Sequence, residues 1–417
     1  MADTNLYSLD SQLDFLGVKS ADGIQAVYNS ALVGRETTIA DMEGFVYDEA
    51  QYGYEYEQLE LDGVINAMAS IVGYDSEPDA IGKSVNARKL TGSIPRQRLK
   101  IVRGENDYRD MLKASADVRT KAVLRGESPY NSLYDYYANN LFDTLAQFTD
   151  GHVSLVNNMI GKMLSKGGYE VNVDNNPQGA YGTVTFSANV PAENGGEMIW
   201  WTKDVDGNIT YDETQDPIKI LWQYCRIIRD DVTGNGYEDI KLRVDRKTFY
   251  EFLDHPNVKI AVGYALNGNL RMTKDNDKNA LSTAEYAYYH DDEAALVAVV
   301  RRLIGVDVLE LKNTVCGVAR FDKSTKEFKT TKIKAFEEGV FSLSPTGVIG
   351  TIKNVIPVRP DKSAVYANIF GGRGIIEYRY NPEQKIQTWV SELTVLPILN
   401  NPSKVHFFNV VGQTPAT

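Results

Sequence analysis

Residues 81–84, Ile-Gly-Lys-Ser, end as a phosphate-binding loop ends, where glycine lets backbone N–H groups close on phosphate and a lysine meets its charge. The glycine needed five places before Gly82 is Glu77, and a carboxylate there repels phosphate, so nucleotide binding is set aside. Gly371-Gly372-Arg373-Gly374 does not fit GxGxxG and reads as a flexible loop. Asp231 begins a calcium-loop-like run through Asn235 and Gly236, but Thr233 weakens its third position and Leu242 replaces the twelfth-position acid. Asp204, Asp206, Gly207 and Asn208 are better hairpin chemistry than metal ligands, with Trp200 and Trp201 before them and Ile209 and Tyr211 after. His152, His255, His290 and His406 stand in no zinc-like spacing. No serine sits in GxSxG, and the carboxylates are too numerous to single out a catalytic pair. Cys225 and Cys316 are isolated in apolar surroundings and read as small buried hydrophobes. The expectation is therefore a protein that is no enzyme, with no cofactor and no metal.

The 417 residues are 43% hydrophobic and 24% charged, enough to bury a sizeable core. The longest apolar run, residues 294–300, is too short to span a bilayer, so no membrane partner is expected. The first residues, from Met1 to Tyr7, carry neither a basic nor an apolar signal region, which predicts synthesis in a cytoplasm. A net charge of −12 weighs against holding nucleic acid by neutralising phosphates. It does not weigh against a container.

The elements that would carry a function are unusual in order. Ser20 is positioned to cap a short helix with Ile24, Val27, Tyr28 and Ala31 at helical spacing and Gly34 as its stop. Residues 36–62 hold nine acidic and no basic residues, and Tyr52, Tyr54 and Tyr56 alternate as they would along an extended segment with one aromatic face. Residues 81–104 hold seven basic and no acidic residues. There Arg96, Arg98 and Lys100 fall on one strand face, opposite Leu99 and Ile101. The stretch from 63 to 104 has little apolar mass and reads as a two-stranded excursion that needs a partner surface.

A helix capped near Asn106 is predicted next, with Tyr108, Met111, Leu112 and Val118 on its apolar face. After Pro129 the three-to-four spacing of Tyr134, Tyr137, Leu141, Leu145, Phe148, Val156, Met159, Ile160 and Met163 predicts a long helix to Lys166, which Asp150-Gly151 could kink. Strands are expected at 169–173 and 182–190, then a hydrophilic excursion over 191–216. Asp216-Pro217 opens a helix lined by Ile218, Leu221, Trp222, Cys225 and Ile228. Further helices are predicted at 246–254, capped by Asp245, and at 292–304, begun by Asp291 or Asp292 and closed by Gly305; β structure with turns at 322–324, 344–347 and 371–374 follows.

Three segments carry a resemblance. Residues 81–110 resemble an E-loop returning to a first helix. Residues 304–355 contain Val308-Leu-Glu-Leu-Lys312 leading to Phe341-Ser-Leu-Ser-Pro345-Thr-Gly-Val348. Ser391-Glu392-Leu-Thr-Val-Leu396-Pro397-Ile-Leu-Asn-Asn-Pro402 precedes an apolar final strand. These resemble the major capsid proteins of tailed phages with the HK97 fold, and more narrowly the lambda-like major capsid protein E family. The match covers most of the chain in order and departs from the family at 191–216. The chain also lacks the long, charged N-terminal region that some relatives use as an internal scaffold.

The resemblance implies an α+β fold. Its parts are an N-terminal arm and acidic segment (1–62), an E-loop (63–104), a peripheral domain with a spine helix (105–190), the excursion (191–216), a mainly axial domain (217–385) and a return to the peripheral domain (386–417). It implies hexamers and pentamers that form an icosahedral head around double-stranded DNA, without sequence-specific binding. The chain itself, scaffolding, portal and decoration proteins are the implied partners. The site is the virion, assembled in the host bacterial cytoplasm. The N-terminus is expected to escape extensive processing. The spine helix, at about 130–166, should pack on strands from both the middle and the C-terminus of the chain. Arg96, Arg98 and Lys100 are expected to meet an acidic surface of a neighbouring subunit, its 36–62 arm, with Tyr52, Tyr54 and Tyr56 as further contacts, so assembly should slow as salt rises. Three other readings remain: a glycan-binding surface protein, prompted by Trp200, Trp201 and 25 tyrosines, a cytosolic enzyme whose site the sequence does not reveal, and an encapsulin-like nanocompartment shell.

Overall fold

Among the described residues, glycines and carboxylates set the ends of several helices, while packing decides which faces are covered. The computed structural model describes residues 11–36, 44–61, 87–172, 175–176, 184–231, 235–267, 292–322, 327–359 and 364–413. Residues 81–84, Thr233, His290, Ser324 and most of the E-loop lie outside the described residues.

Three short helices come first: α1 (Ser11–Phe15), α2 (Ala21–Ala31) and α3 (Val33–Glu36). Ser20 caps α2, accepting from the Gly23 N–H at 3.0 Å. Gly34 does not stop this helix. Leu32, fully buried, closes it and donates its N–H to the Tyr28 carbonyl at 2.8 Å. Strands β1 (Phe45–Tyr47), β2 (Glu55–Leu61), β3 (Ala87–Ser93) and β4 (Arg96–Arg103) follow.

Helix α4 (Glu105–Arg125) begins before the expected cap at Asn106, because Asp107 reaches back to accept from the Gly104 N–H at 2.9 Å. Helix α5 (Pro129–Lys166) runs 38 residues unbroken, about 57 Å at 1.5 Å per residue. Asp150-Gly151 does not kink it. Gly151 makes room instead: a Cβ there would lie 2.5 Å from Leu99 Cδ1. Gly161 does the same for backbone, since its Cβ would lie 2.5 Å from the Ala335 carbonyl carbon. Gly167 ends the helix in the left-handed region at φ 66.

The rest alternates more evenly. Strands β5 (Gly168–Val171), β6 (Val184–Ser187), β7 (Gly195–Lys203) and β8 (Ile209–Tyr211) precede α6 (Pro217–Arg229), whose N-terminus Asp216 caps at 3.1 Å from the Lys219 nitrogen. Then come β9 (Ile240–Asp245), α7 (Arg246–Leu253), α8 (Pro256–Asn267) and α9 (Glu293–Ile304). Strands β10 (Val308–Lys312), β11 (Val315–Asp322), β12 (Glu327–Lys334), β13 (Val340–Pro345), β14 (Gly350–Asn354), β15 (Val365–Ile369), β16 (Gly374–Asn381), β17 (Ile386–Leu399) and β18 (His406–Gln413) complete it.

These elements build two cores. In the first sheet, ordered β1-β14-β17-β16-β15, the long strand β17 also pairs with β4. Its core joins α5 to the N-terminal helices through Ile24, Tyr28, Leu145, Val156, Trp389 and Leu393. The second sheet, ordered β10-β9-β13-β18-β7-β8, packs on α6, α7, α8 and α9 through Trp200, Leu221, Phe249, Leu296 and Phe341.

The division of the chain differs from the expected one in three places. Residues 191–216 are no excursion, because they supply β7 and β8, and Trp200 and Trp201 are buried in the second core. Strands β14, β15 and β16, expected in the axial part, join the sheet of α5 by pairing around β17. The closing strand β18 pairs with β13 and β7 in the second sheet. Period two explains its double role: Val405 and Phe407 turn to the first core, Phe408 and Val410 to the second. Helix α5 thus lies against α4 and β17, and it also touches β5, β11, β13 and β18.

Candidate inter-subunit surfaces

The opposite charge blocks of the sequence meet within one chain. Strands β2 and β3 pair antiparallel from Glu55↔Ser93 to Leu61↔Ala87, and this register sets Glu60 opposite Arg88. A two-stranded ribbon has no second layer of its own, so it depends on what it leans against. Gly92 accommodates the Tyr56 ring, whose atoms come within 2.7 Å of where a Cβ would stand. At the root of the ribbon Ile94 is buried and donates its N–H to the Tyr54 carbonyl at 2.7 Å.

Strand β4 carries the basic residues onto β17, in register from Arg103↔Gln387 to Arg96↔Thr394. Arg96 and Arg98 both serve Glu392 of the same chain: Arg96 Nη2 lies 2.5 Å and Arg98 Nη2 2.8 Å from Glu392 Oε2. Burial raises the Glu392 pKa, but the two guanidiniums outweigh it and hold the carboxyl below its ordinary range. The sequence marked both arginines and missed Glu392, whose one signal was its place in the closing-strand motif. Arg103 bonds to Asn140 Oδ1 at 2.7 Å and Thr144 Oγ1 at 2.8 Å, fastening the strand to α5. Lys100 is exposed. Leu99 keeps contact with Gly151 despite being partly exposed.

The tyrosine alternation does not form one aromatic face. Tyr52 and Tyr54 lie in bends before β2 and are exposed, Tyr52 to 88%, while Tyr56 alone lies in the strand and is partly covered. Pairing of β2 begins only at Glu55, so the extended geometry that would align the three rings is missing.

Two further exposed apolar groups include Tyr134 and Trp222, which spacing had placed on buried helix faces. At the tip of the α4–α5 hairpin Val123, Leu124, Tyr130 and Tyr134 face outward, with Phe15 packed 5.2 Å from Tyr130 ring to ring. On α6, Trp222 lies outside the buried stripe predicted for it and is exposed, as is Ile227. Trp222 falls one residue past Leu221, a rotation of about 100° that carries it to the solvent side.

The histidines and cysteines are structural where described. His152 is buried and bonds to Ser391 Oγ at 2.9 Å; His255 faces the Asp212 carbonyl at 3.1 Å; His406 Nδ1 lies 3.0 Å from the Tyr224 hydroxyl. Burial pushes His152 and His406 down to about 4 and lifts the Cys225 thiol to about 11. Among the described residues, no cluster of three or more His, Cys, Asp or Glu could hold a metal, and no helix is long and apolar enough to cross a membrane. A groove of about 1310 Å³ between the end of α5 and β7, β13 and β18 is lined by Lys166, Lys203, Glu337 and Phe407, with no convergent catalytic group.

No family model matches the chain, and no curated protein matches it. Solved structures resemble it loosely along nearly its whole length. A phage-related protein from Bordetella bronchiseptica is 11% identical, covers 92% of this chain and 94% of its own, and superposes with a TM-score of 0.41. The mature capsid of bacteriophage PhiM1 is 11% identical, with 90% and 87% covered and a TM-score of 0.42. The procapsid of satellite phage P4, which includes a size determination protein, is 9% identical, with 91% and 98% covered and a TM-score of 0.41. Likenesses this loose carry no argument alone, so the functional reading rests on this chain's own surfaces.

Proposed function

We propose that this chain is the major capsid protein of a tailed bacteriophage, with an HK97-like fold of the lambda-like major capsid protein E kind. It assembles into hexamers and pentamers that close an icosahedral head around double-stranded DNA. The observation that carries the reading is the β2–β3 ribbon: a paired projection rooted by β4 on the first sheet and without a layer of its own. Such an arm becomes stable when another copy covers it, so its ordering and assembly are one event. In this reading the lobe around α5 is peripheral and the lobe of the second sheet is axial. DNA is enclosed without sequence-specific binding, and scaffolding, portal and decoration proteins are the other partners. The particle is assembled in the host cytoplasm.

Tyr52, Tyr54, Tyr56, Arg96, Arg98 and Lys100 remain the proposed contacts with neighbours. Because Arg96 and Arg98 also hold Glu392 internally, Lys100→Glu is the cleaner probe of the charge contact. The glycan-binding reading loses the tryptophans that prompted it, since Trp200 and Trp201 are buried. A nanocompartment shell would use the same surfaces, and packaged DNA against packaged protein separates the two. The test is electron microscopy of the expressed protein over a range of concentrations. Closed particles are expected; monomers at every concentration would overturn the proposal.

A further inference from the structure

We infer that the tip of the β7–β8 hairpin of one copy docks into the cavity beside the C-terminal end of α9 of the next, joining copies head to tail. The inference rests on the shell reading, which requires copies to contact one another, and it names where the second lobes meet.

The hairpin tip is built to present a short apolar knob between acids. The Asp204 carboxylate accepts from the Asp206 and Asn208 N–H groups at 3.0 and 2.7 Å, and Gly207 takes φ 85, which fixes the turn. Val205 is left 85% exposed at its tip. The Asp206 carboxylate has no hydrogen-bond or ion-pair partner among the described residues. From 204 to 216 the chain holds five acidic residues (Asp204, Asp206, Asp212, Glu213, Asp216) and no lysine or arginine.

The complementary surface is an open hollow of about 600 Å³ lined by Ala298, Val299 and Val306 together with Arg301, Arg302 and Asp307. Asp307 is already engaged: its carboxylate accepts from the Ile240 N–H at 2.8 Å and lies 3.4 Å from Arg229. Arg302 has no ion-pair or hydrogen-bond partner among the described residues, and it is exposed. Trp222 stands beside the opening, with Cδ1 3.7 Å from where a Gly305 Cβ would be. A half-apolar hollow with arginines in its lining and a tryptophan nearby has the residue types of a binding hot spot. Val205 seats against Ala298 and Val299, and Asp206 meets Arg302.

One molecule cannot make this contact with itself. Strand β8 closes one edge of the second sheet and β10 the other, so five strand spacings, about 24 Å, separate them. Strands β10, β9, β18 and β7 run in one direction. The hairpin leaves the end of β7 while the cavity lies before the start of β10, so the two occupy diagonally opposite corners. A knob and a pocket on opposite corners make a heterologous contact, the kind that repeats around a ring when the rotation closes.

The test pairs Val205→Cys with Ala298→Cys. The native thiols, Cys225 and Cys316, are buried and give little background, and a disulfide needs Cα atoms within about 7 Å, so a bond at these positions must join two copies. Oxidation of assembled protein should give a ladder of covalent oligomers ending at five or six chains. Asp206→Lys and Arg302→Glu should each slow assembly roughly tenfold at low salt, and the double variant should recover most of the rate. Particles that form normally but yield no ladder, with Asp206→Lys assembling at the parent rate, overturn the contact and leave the shell reading standing. Failure of the parent protein to associate at any concentration overturns both.

Discussion

Helices α4 and α5 are the two arms of one hairpin, yet they are covered very differently. In α5, eighteen residues are buried, on nearly every side of the helix from Val156 to Ser165, while Asp143, Gln147 and Asp150 keep one face exposed before that; in α4 only Met111, Ser115 and Ala122 are buried. Packing therefore sustains α5, whereas α4 leans on local devices. These are the Asp107 reach-back to Gly104, the left-handed Gly126 at its end and the Glu105–Arg109 pair at 2.7 Å. The difference teaches that α5 is core on most sides, whereas α4 gives the core little beyond Met111 and Tyr108. In the proposed shell, the exposed Val123 and Leu124 of α4 are surface left for a neighbour.

The contrast can be tested from its strong side first. Leu145→Ala, at a fully buried position of α5, should cost about 2–5 kcal/mol of monomer stability in urea unfolding; a loss near zero would mean that α5 is not the core. Acid should act next. His152 is held neutral by burial, at about 4, while in the unfolded chain it takes up its proton near 6.5. The unfolded state therefore binds more protons between about pH 6.5 and 4, and stability falls as pH drops through that window, by roughly 3 kcal/mol for this residue. His152→Gln should flatten the fall, read as unfolding midpoints of the unassembled protein at several pH values.

Gly161→Ala should cost about 1–3 kcal/mol, because the new methyl meets the Ala335 backbone rather than a side chain that can turn away. Last, Leu124→Ser on α4 should change monomer stability by no more than about 0.5 kcal/mol while lowering the yield of particles. Equal particle yield would dissolve the distinction between the two arms.

Helix ends were the most legible part of this sequence. Ser20, Asp216, Asp245 and Asp292 all accept the N–H groups expected of caps, and Gly167 and Gly305 end their helices left-handed, because caps are settled by a few neighbouring residues. Membership of a sheet was not legible. Nothing local to residues 191–216 says that two tryptophans will fill a core completed by Phe341 from far along the chain. The charge blocks were visible as composition, but their pairing was not. Glu392 is nearly 300 positions from Arg96, and only the β4–β17 register brings them together.

That register also decides how the projection bears load. Strand β4 is bonded to β17 along eight consecutive pairs, and the ribbon β2–β3 continues from its end. A tug on the ribbon along its length therefore strains the whole β4–β17 ladder in shear, all rungs sharing the force. A sideways tug would instead peel the rungs one at a time from Arg96↔Thr394 inward, with the Glu392 clamp among the first to be tested. In the proposed shell, swelling under the pressure of the contents would stretch neighbours apart within the wall, and an arm lying in that plane would meet the load in its stronger direction.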